Sequence, residues 1–242
     1  MQKHERPKQI VEVPEATLTT FCYGNGTSAP VILIHGGPGM PGSMRKLGSM
    51  IQNDVPVVEY YQRDQHHSRT KGSAASPITF ESHVDDLLGL IQSIKTKTGK
   101  KPVLMGSSIG AVLALEAAKK RSADLSSVVL LGLAPLTWDV MVGALGTVAS
   151  RLSPELLKLR SELAEKGAKA ATDEERLNFH VQDLKITTNA YFFSKDPKVG
   201  TEFLDQVEFH PSSHASTMET LMSYVGALQG PALSGGFETI IL

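Results

Sequence analysis

The feature that most restricts the fold of this chain is a serine set between glycines where an apolar segment meets a helical one. Residues 102–105 (PVLM) read as a strand, and residues 111–120 as an Ala- and Leu-rich helix. Residues 106–110 (GSSIG) must then turn sharply, and glycines suit such a turn because side chains would hinder the approach of neighbouring segments. The pattern predicts that Ser108 projects at the carboxyl end of a sheet, where α/β proteins bind ligands.

Strands and helices alternate on either side of this unit. Residues 31–34 (VILI) are continuously apolar, which is typical of a parallel strand covered on both faces, whereas residues 9–13 and 17–23 alternate as antiparallel strands do. Further strands are predicted at residues 55–60, 127–131 and 239–242, and further helices at residues 43–51 and 79–95. This alternation predicts an α/β fold with a mostly parallel, doubly covered sheet.

The chain changes character after Pro135, where strand patterns almost disappear. Residues 136–228 are predicted to be an inserted helical domain, with helices at residues 138–152, 154–167, 173–184 and 216–228. Residues 1–135 are then the N-terminal part of the core, and residues 229–242 return to it with the first strand after the insertion.

Composition and charge exclude several classes of partner. With 24 basic and 25 acidic side chains the formal net charge is −1, so neither nucleic acid nor a membrane is expected, and a small-molecule or short-peptide substrate fits better. No apolar run approaches the roughly 18 residues of a membrane span, and the first residues do not resemble a signal segment. The single cysteine, Cys22, has no partner for an internal disulfide, so the expected location is cytoplasmic.

A second glycine-rich segment, residues 35–39 (HGGPG), follows the predicted strand at residues 31–34. The N–H groups of Gly37 and Ile109 are predicted to form an oxyanion hole, where each donor stabilises a tetrahedral intermediate by a few kcal/mol. The residues around these donors are predicted to line the substrate pocket: His35, Gly36, Pro38 and Ser107. The sequence also leaves His35 open as an acid or base, although a role in holding its loop by hydrogen bonds is favoured.

Four segments together resemble the proline iminopeptidase family of α/β-hydrolases. They are residues 35–39 (HGGPG), residues 60–63 (YYQR) with Ser68, Thr79 with Val84 and Asp86, and residues 106–110 (GSSIG), within a match over residues 31–135. The helical residues 136–228 resemble that family's cap domain in position and length. The resemblance implies an α/β-hydrolase fold, Ser108 as the catalytic nucleophile, and no cofactor or metal. It also implies removal of an N-terminal residue, often proline, from a peptide, or hydrolysis of a related amide or ester.

The chain departs from the family pattern at two places. The family's D-Q-R-G-x-G-x-S turn reads YQRDQHHS at residues 61–68, so an acidic residue and both glycines are replaced. Because Asp64 and His66 adopt positive φ less readily than glycine, a different loop conformation is predicted. Ile109 and Ala111 stand where the family commonly has tryptophan and glycine, which weakens the implied preference for proline.

The serine lacks its usual partners at the expected place in the chain. A serine hydroxyl becomes nucleophilic when a histidine, itself oriented by a carboxylate, takes its proton, and in α/β-hydrolases both partners follow later strands. Because residues 239–242 read as the first strand after the cap, the chain is expected to be C-terminally incomplete, with acid and histidine in a missing segment or on a separate chain. The alternative is a rebuilt triad with His210 or His214 as base and Asp196 or Asp205 as acid.

Two classes of function remain open on the sequence alone. The preferred one is a serine hydrolase in which Ser108 forms an acyl-enzyme, and the alternative is a non-catalytic protein that binds a small ligand in the pocket or a protein partner on the cap. A fragment without independent function is a third reading, because an unpaired edge strand tends to pair with another chain. The adjacent His66 and His67 are expected on a solvated loop rather than at a metal.

Overall fold

The computed structural model describes residues 8–37, 39–72, 78–191, 204, 207, 210, 217, 220, 221 and 238–241 of the 242-residue chain. Its strands are β1 (Lys8–Glu12), β2 (Ala16–Tyr23), β3 (Val31–Ile34), β4 (Val57–Tyr60), β5 (Arg69–Thr70), β6 (Val103–Ser107), β7 (Ser127–Leu131) and β8 (Glu238–Ile241). Its helices are α1 (Arg45–Ile51), α2 (Phe80–Thr98), α3 (Ile109–Arg121), α4 (Trp138–Ser150), α5 (Pro154–Ala168) and α6 (Asp173–Tyr191), with a short 3₁₀ turn at Ser122–Asp124. Every strand and helix predicted before residue 191 is present, and β5 is additional.

The strands form one mixed sheet in the order β1-β2-β4-β3-β6-β7-β8, with β5 paired to β2. β2 is antiparallel to β1, β4 and β5. Every pairing from β4 through β3, β6 and β7 to β8 is parallel. The mostly parallel sheet that the sequence predicts is therefore confirmed.

The register of the central strands brings two loops to the same edge of the sheet. Ile34 at the end of β3 pairs with Gly106 of β6, and Ser107 pairs with Leu131 at the end of β7. Because these strands are parallel, the residues that follow β3 and β6 leave the sheet side by side. The HGGPG segment and Ser108 are adjacent for this reason.

Helices cover both faces of the sheet because side chains alternate along β3. Ile32 and Ile34 belong to a core cluster with residues of α2 and α3, whereas Val31 and Leu33 pack with Met44 on the side of α1. All four β3 side chains are at most 6% exposed, and burying each contributes about 1.5–3 kcal/mol. The doubly covered architecture predicted from the sequence is confirmed as well.

Three helices, α4, α5 and α6, follow β7 along the chain. α5 packs against α6, and Arg160 binds both carboxylate oxygens of Asp183 at 2.6 and 3.3 Å. No helix in the described part of the chain is long and apolar enough to cross a membrane. The predicted boundaries of the insertion, at residues 136 and 228, stay predictions because most residues from 192 to 237 lie outside the described part.

A short part of the chain before β8 is tied to the start of α2. The hydroxyl oxygen of Thr220 accepts the N–H of Phe80 at 2.9 Å, and the hydroxyl of Thr217 lies 2.9 Å from Nε2 of His83. Phe80 is the first residue of α2, so Thr220 satisfies one of the amides that a helix start leaves without an internal acceptor. Leu221 is 2% exposed within the core cluster. These contacts hold Thr217, Thr220 and Leu221 against the core.

Candidate active site

Ser108 forms the turn between β6 and α3 with a backbone that few residues other than glycine adopt. Its φ is 54° and its ψ is −119°. The turn is held from both sides, because the Ser108 N–H donates to the carbonyl oxygen of Leu131 at 3.0 Å and the Ser108 carbonyl accepts the N–H of Ala111 at 3.0 Å. Ser108 is partly exposed at the N-terminal end of α3, where the helix dipole favours negative charge.

The close packing around Ser108 requires two glycines. A Cβ atom at Gly110 would overlap the carbonyl oxygen of Ile34 and lie 2.6 Å from the carbonyl oxygen of His35. A Cβ atom at Gly106 would overlap the carbonyl oxygen of Gly110. These neighbours are backbone atoms, which cannot move aside as the end of a flexible side chain can. The turn therefore depends on glycine at both positions, for the reason that the sequence suggests.

The HGGPG loop lies directly against the serine turn. A Cβ atom at Gly36 would lie 2.7 Å from the carbonyl oxygen of Ser107 and 3.0 Å from Cβ of Ser108. Gly37 follows with a φ of 54°, and its carbonyl accepts the N–H of Met40 at 2.9 Å. The end of β3 and the turn after β6 thus form one compact site.

The structure brings most residues of the predicted oxyanion hole and pocket into this site. Ile109 begins α3 directly after the serine, and Ser107 ends β6 directly before it. Pro38 lies outside the described residues. The donor roles of Gly37 and Ile109, and the contacts of the other residues with a substrate, stay predictions.

His35 is buried within its own loop. It is 3% exposed, and its Nδ1 lies 3.1 Å from the carbonyl oxygen of Gly36, so Nδ1 carries the proton and donates it to this bond. The side-chain amide of Gln62 donates to the His35 carbonyl at 3.3 Å. Burial is the main cause that lowers the pKa of His35 to about 4. A buried, neutral imidazole fits the loop-holding reading better than the acid-base reading.

The structure contradicts the reason for expecting a changed conformation in residues 61–68, because Asp64 and His66 do not avoid positive φ. Asp64 and His66, which replace the family's two glycines, adopt φ values of 56° and 50°, in the left-handed region that glycine favours. Oδ1 of Asp64 accepts the N–H of Thr70 at 3.1 Å. The ring of His66 stacks on Tyr61, with centroids 4.4 Å apart and planes at 26°. These contacts offset the strain of the left-handed backbone, and residue types alone do not reveal them.

Arg63 and Asp86 form a buried ion pair that joins this loop to α2. Nε of Arg63 donates to Oδ2 at 3.0 Å and Nη2 donates to Oδ1 at 2.7 Å, with the two side chains 5% and 3% exposed. The hydrogen bonds to Asp86 raise the pKa of Arg63, while burial raises the pKa of Asp86 against the opposing effect of Arg63. Sequence reasoning missed this pair. The only available signal was that both residues belong to the family motif.

His210, a candidate base of the rebuilt triad, lies at the HGGPG loop. Its N–H donates to the carbonyl oxygen of Gly39 at 2.7 Å. Its ring stands edge-on to His66, with centroids 4.8 Å apart and planes at 68°. The other candidates for that triad lie outside the described residues: His214, Asp196 and Asp205. The structure thus brings His210 to the site, while its role as a base stays a prediction.

The adjacent His66 and His67 differ in their exposure. His67 is exposed, whereas His66 is partly buried against Tyr61. Within the residues that the structure describes, no group of three or more His, Cys, Asp or Glu side chains is arranged to hold a metal ion.

The fold and the geometry at Ser108 define the class of the protein. A serine at a strained turn between a parallel strand and a helix, in a sheet of this order, is the arrangement of the α/β-hydrolases. A carboxylesterase of the thaumarchaeon Nitrososphaera gargenis shares the fold at 14% identity, with a TM-score of 0.62 and coverage of 97% of this chain and 79% of that one. A proline iminopeptidase of Mycobacterium smegmatis shares it at 18% identity, with a TM-score of 0.58 and coverage of 96% and 74%.

Within that class, the chain belongs to the serine aminopeptidase family S33, which matches residues 25–221. Proline iminopeptidase PfmaB of Pestalotiopsis fici is 31% identical over 148 residues, which cover 60% of this chain and 50% of the relative. The chain therefore spans about half the length of this curated relative.

Proposed function

We propose that this chain carries the nucleophile of a serine hydrolase that cleaves an amide or ester bond. The observation that carries the proposal is the left-handed backbone of Ser108, held between β6 and α3 with the HGGPG loop against it. Oγ of Ser108 attacks the substrate carbonyl while a base takes its proton, and the C–N or C–O bond breaks as the leaving group receives that proton. Water then attacks the acyl-enzyme and releases the serine.

Two backbone amides are the proposed donors to the negative oxygen of the tetrahedral intermediates. Gly37 belongs to the loop packed against Ser108, and Ile109 is the first residue of α3. The first amides of a helix have no acceptor within the helix, so the Ile109 N–H is available to a substrate. Each such donor stabilises the transition state by about 2.7–4 kcal/mol. His35, Gly36, Pro38 and Ser107 are proposed to line the pocket around these donors.

The proposed substrate is a small molecule or a short peptide, cleaved in the manner of a proline iminopeptidase. The HGGPG loop and the 31% identity with proline iminopeptidase PfmaB support this choice. The helical residues 136–228 are proposed to act as a cap that covers the pocket, excludes water and selects the substrate.

The acid and the histidine of the triad are proposed to lie in chain that follows β8. β8 pairs in parallel with β7 and ends at Ile241. In α/β-hydrolases the nucleophile is followed by the acid and then by the histidine, each on a loop after a later strand. This chain matches 74% of the proline iminopeptidase of Mycobacterium smegmatis and 79% of the carboxylesterase of Nitrososphaera gargenis. Both of those chains are therefore longer than the matched region.

The proposal is tested on the protein extended beyond residue 242, with p-nitrophenyl acetate and proline p-nitroanilide as substrates. Ser108→Ala is expected to lower kcat by about a thousandfold or more. Ser126→Ala, an exposed serine directly before β7 and outside the helical residues 136–228, is the matched control and should retain full activity. Unchanged turnover in Ser108→Ala would remove the assignment.

A non-catalytic binding protein is the second candidate, favoured by Tyr61, which stands where the family motif has an acidic residue. A fluorophosphonate distinguishes the two, because it labels an activated serine and not an inert one. Labelling of Ser108 in the extended protein supports the hydrolase, and its absence supports binding alone. Labelling of the 242-residue chain by itself would instead favour His210 as the base.

A further inference from the structure

His66 places a large side chain at a position that holds glycine in the family this chain resembles. Its ring has aromatic neighbours on two sides, since it stacks on Tyr61 at 4.4 Å and meets His210 edge-on at 4.8 Å. Its φ of 50° is one that a Cβ atom makes unfavourable. A strained residue whose side chain is held between two rings is a candidate for a role at the site.

His210 extends this contact to the loop beside the nucleophile. The His210 N–H donates to the carbonyl oxygen of Gly39 at 2.7 Å. The same loop includes Gly36, at which a Cβ atom would lie 3.0 Å from Cβ of Ser108. Movement of His210 would therefore remove a support of the loop that packs on the serine turn.

Tyr61, on the other side of His66, is firmly held. The hydroxyl of Ser68 donates to the Tyr61 carbonyl at 2.8 Å, and Nη2 of Arg45 donates to the Tyr61 hydroxyl at 3.2 Å. The ring of Phe21 packs edge-on against Tyr61 at 5.2 Å. Since Tyr61 is 9% exposed and fixed by these contacts, it gives His66 a rigid surface on which to stack.

We propose that His66 is a positioning residue that acts with Tyr61 and His210 to hold the HGGPG loop beside Ser108. We call these three side chains the His66 latch. The inference rests on the proposed function, because the loop carries Gly37, the proposed oxyanion donor. A glycine at position 66 would permit the same backbone conformation without the ring. The latch fixes the N–H of Gly37 relative to the hydroxyl of Ser108. A displacement of about 1 Å at a catalytic site can lower the rate a hundredfold.

The test measures hydrogen exchange of the His210 amide, which bonds to Gly39, in the 242-residue chain. His66→Asn removes the ring but keeps a residue that tolerates left-handed φ, and His66→Gly restores the residue of the family motif. Both variants are expected to exchange this amide about two- to tenfold faster, the effect of losing an aromatic pair. Unchanged exchange in both variants would overturn the latch.

Asp64→Gly is the matched control, because Asp64 has a φ of 56° in the same loop while its side chain bonds to Thr70 instead. This variant is expected to keep the wild-type exchange rate at His210. An equal acceleration in Asp64→Gly would assign the effect to general loosening of residues 61–68 and would also overturn the latch. His210→Ala keeps the backbone N–H at position 210 but lacks the imidazole ring, and it leaves the sequence of residues 61–68 unaltered. It should therefore accelerate exchange of that N–H as His66→Asn does.

Kinetics of the extended protein separate positioning from substrate binding. His66→Asn is expected to lower kcat for an ester with little change in KM, because the latch positions a donor and does not bind substrate. A rise in KM with kcat unchanged would contradict the positioning role. Ser108→Ala is expected to leave exchange at His210 unaltered. The exchange experiment therefore tests the latch independently of the assignment of Ser108 as nucleophile.

Discussion

At the scale of single residues, positive φ marks the neighbourhood of the candidate site. Among the non-glycine residues that the structure describes, Asp64, His66 and Ser108 adopt it. Each such residue costs about 1–3 kcal/mol. All three lie in turns that follow β4 or β6, so strain is concentrated where the geometry of the site is set. Side-chain contacts and backbone hydrogen bonds at these turns must offset that strain.

Substitution of Gly110 should reveal how tightly the serine turn is packed. In Gly110→Ala the new methyl group would overlap the carbonyl oxygen of Ile34, so we expect the free energy of unfolding to fall by about 1–3 kcal/mol. Gly143→Ala in α4 is the control, because nothing lies within 4 Å of its added Cβ, and there alanine should stabilise by up to about 1 kcal/mol. Urea unfolding measures both. Equal stabilities of the two variants would contradict the close approach at Gly110.

Two buried histidines should make the fold sensitive to mild acid. Burial lowers the pKa of His35 to about 4 and that of His83 to about 3, both from an ordinary value of 6.5. Below pH 6.5 the unfolded chain binds protons that the folded chain does not. The free energy of unfolding therefore decreases as the pH is lowered, until the pH reaches the pKa of the histidine in the folded protein. Each histidine should therefore lower the free energy of unfolding by about 2 kcal/mol between pH 7 and pH 5.

The matched variants His83→Gln and His67→Gln isolate this effect. Urea unfolding at pH 7 and pH 5 should show a change about 2 kcal/mol smaller in His83→Gln than in the wild type. His67 is exposed, so His67→Gln should keep the wild-type pH dependence. If both variants keep the wild-type pH dependence, our expectation that His83 stays neutral in the folded protein is wrong.

The sequence predicted the turn at Ser108 but not the side-chain contacts of the neighbouring loop. Ser108 could be found because the glycines on either side are local signals of a tight turn. The left-handed conformations of Asp64 and His66 could not be predicted from the sequence. They depend on contacts of Asp64 with Thr70 and of His66 with Tyr61, which form only in the folded protein. A residue type gives a tendency for its backbone, and tertiary contacts then decide the conformation.

At the scale of elements, the ion pair of Arg63 and Asp86 connects the end of β4 to α2. In Asp86→Ala the guanidinium remains buried, 5% exposed, without its carboxylate, and the free energy of unfolding should fall by about 3–5 kcal/mol. Asp85→Ala is the control on the same helix. Asp85 is 63% exposed and lies 3.4 Å from Lys120, a surface pair worth about 0.2–1 kcal/mol.

Chemical denaturation of the two variants at neutral pH gives the comparison. A loss in Asp86→Ala no larger than in Asp85→Ala would mean that water reaches Arg63 when the carboxylate is removed. In that case the anchoring of residues 61–68 would depend on Tyr61 and Ser68 rather than on the ion pair.

The same scale shows which elements the sequence could predict. β3 and α2 follow from a four-residue apolar run and from an apolar helical face. The order of the strands could not be predicted, because β3 lies between β4 and β6 in the sheet but not along the chain. The two-residue strand β5 has no periodic pattern of its own and exists through its pairing with β2.

At the scale of the whole molecule, the described helices between β7 and β8 form a layer of their own. α5 and α4 make their main contacts with α6, whereas α3 packs on β6, β7 and α2. Large apolar side chains of this layer are exposed on two helices: Val140, Val142 and Leu145 on α4, and Leu156, Leu157 and Leu159 on α5. Less burial per residue means a smaller contribution of this layer to stability.

This difference predicts that α4, α5 and α6 open before the sheet does. Regions with few buried apolar contacts open at a lower free energy than a densely packed core, so amides in these helices should exchange at lower urea concentration than amides of β3, β6 and β7.

Gly146→Ala provides an internal test, because nothing lies within 4 Å of its added Cβ and alanine favours a helix by up to about 1 kcal/mol. It should slow exchange in α4 to α6 and leave β6 unchanged. A single transition shared by all elements would mean that the helical layer and the sheet unfold as one cooperative unit. The cap that we propose for residues 136–228 would then have to open as a rigid body and not by local unfolding.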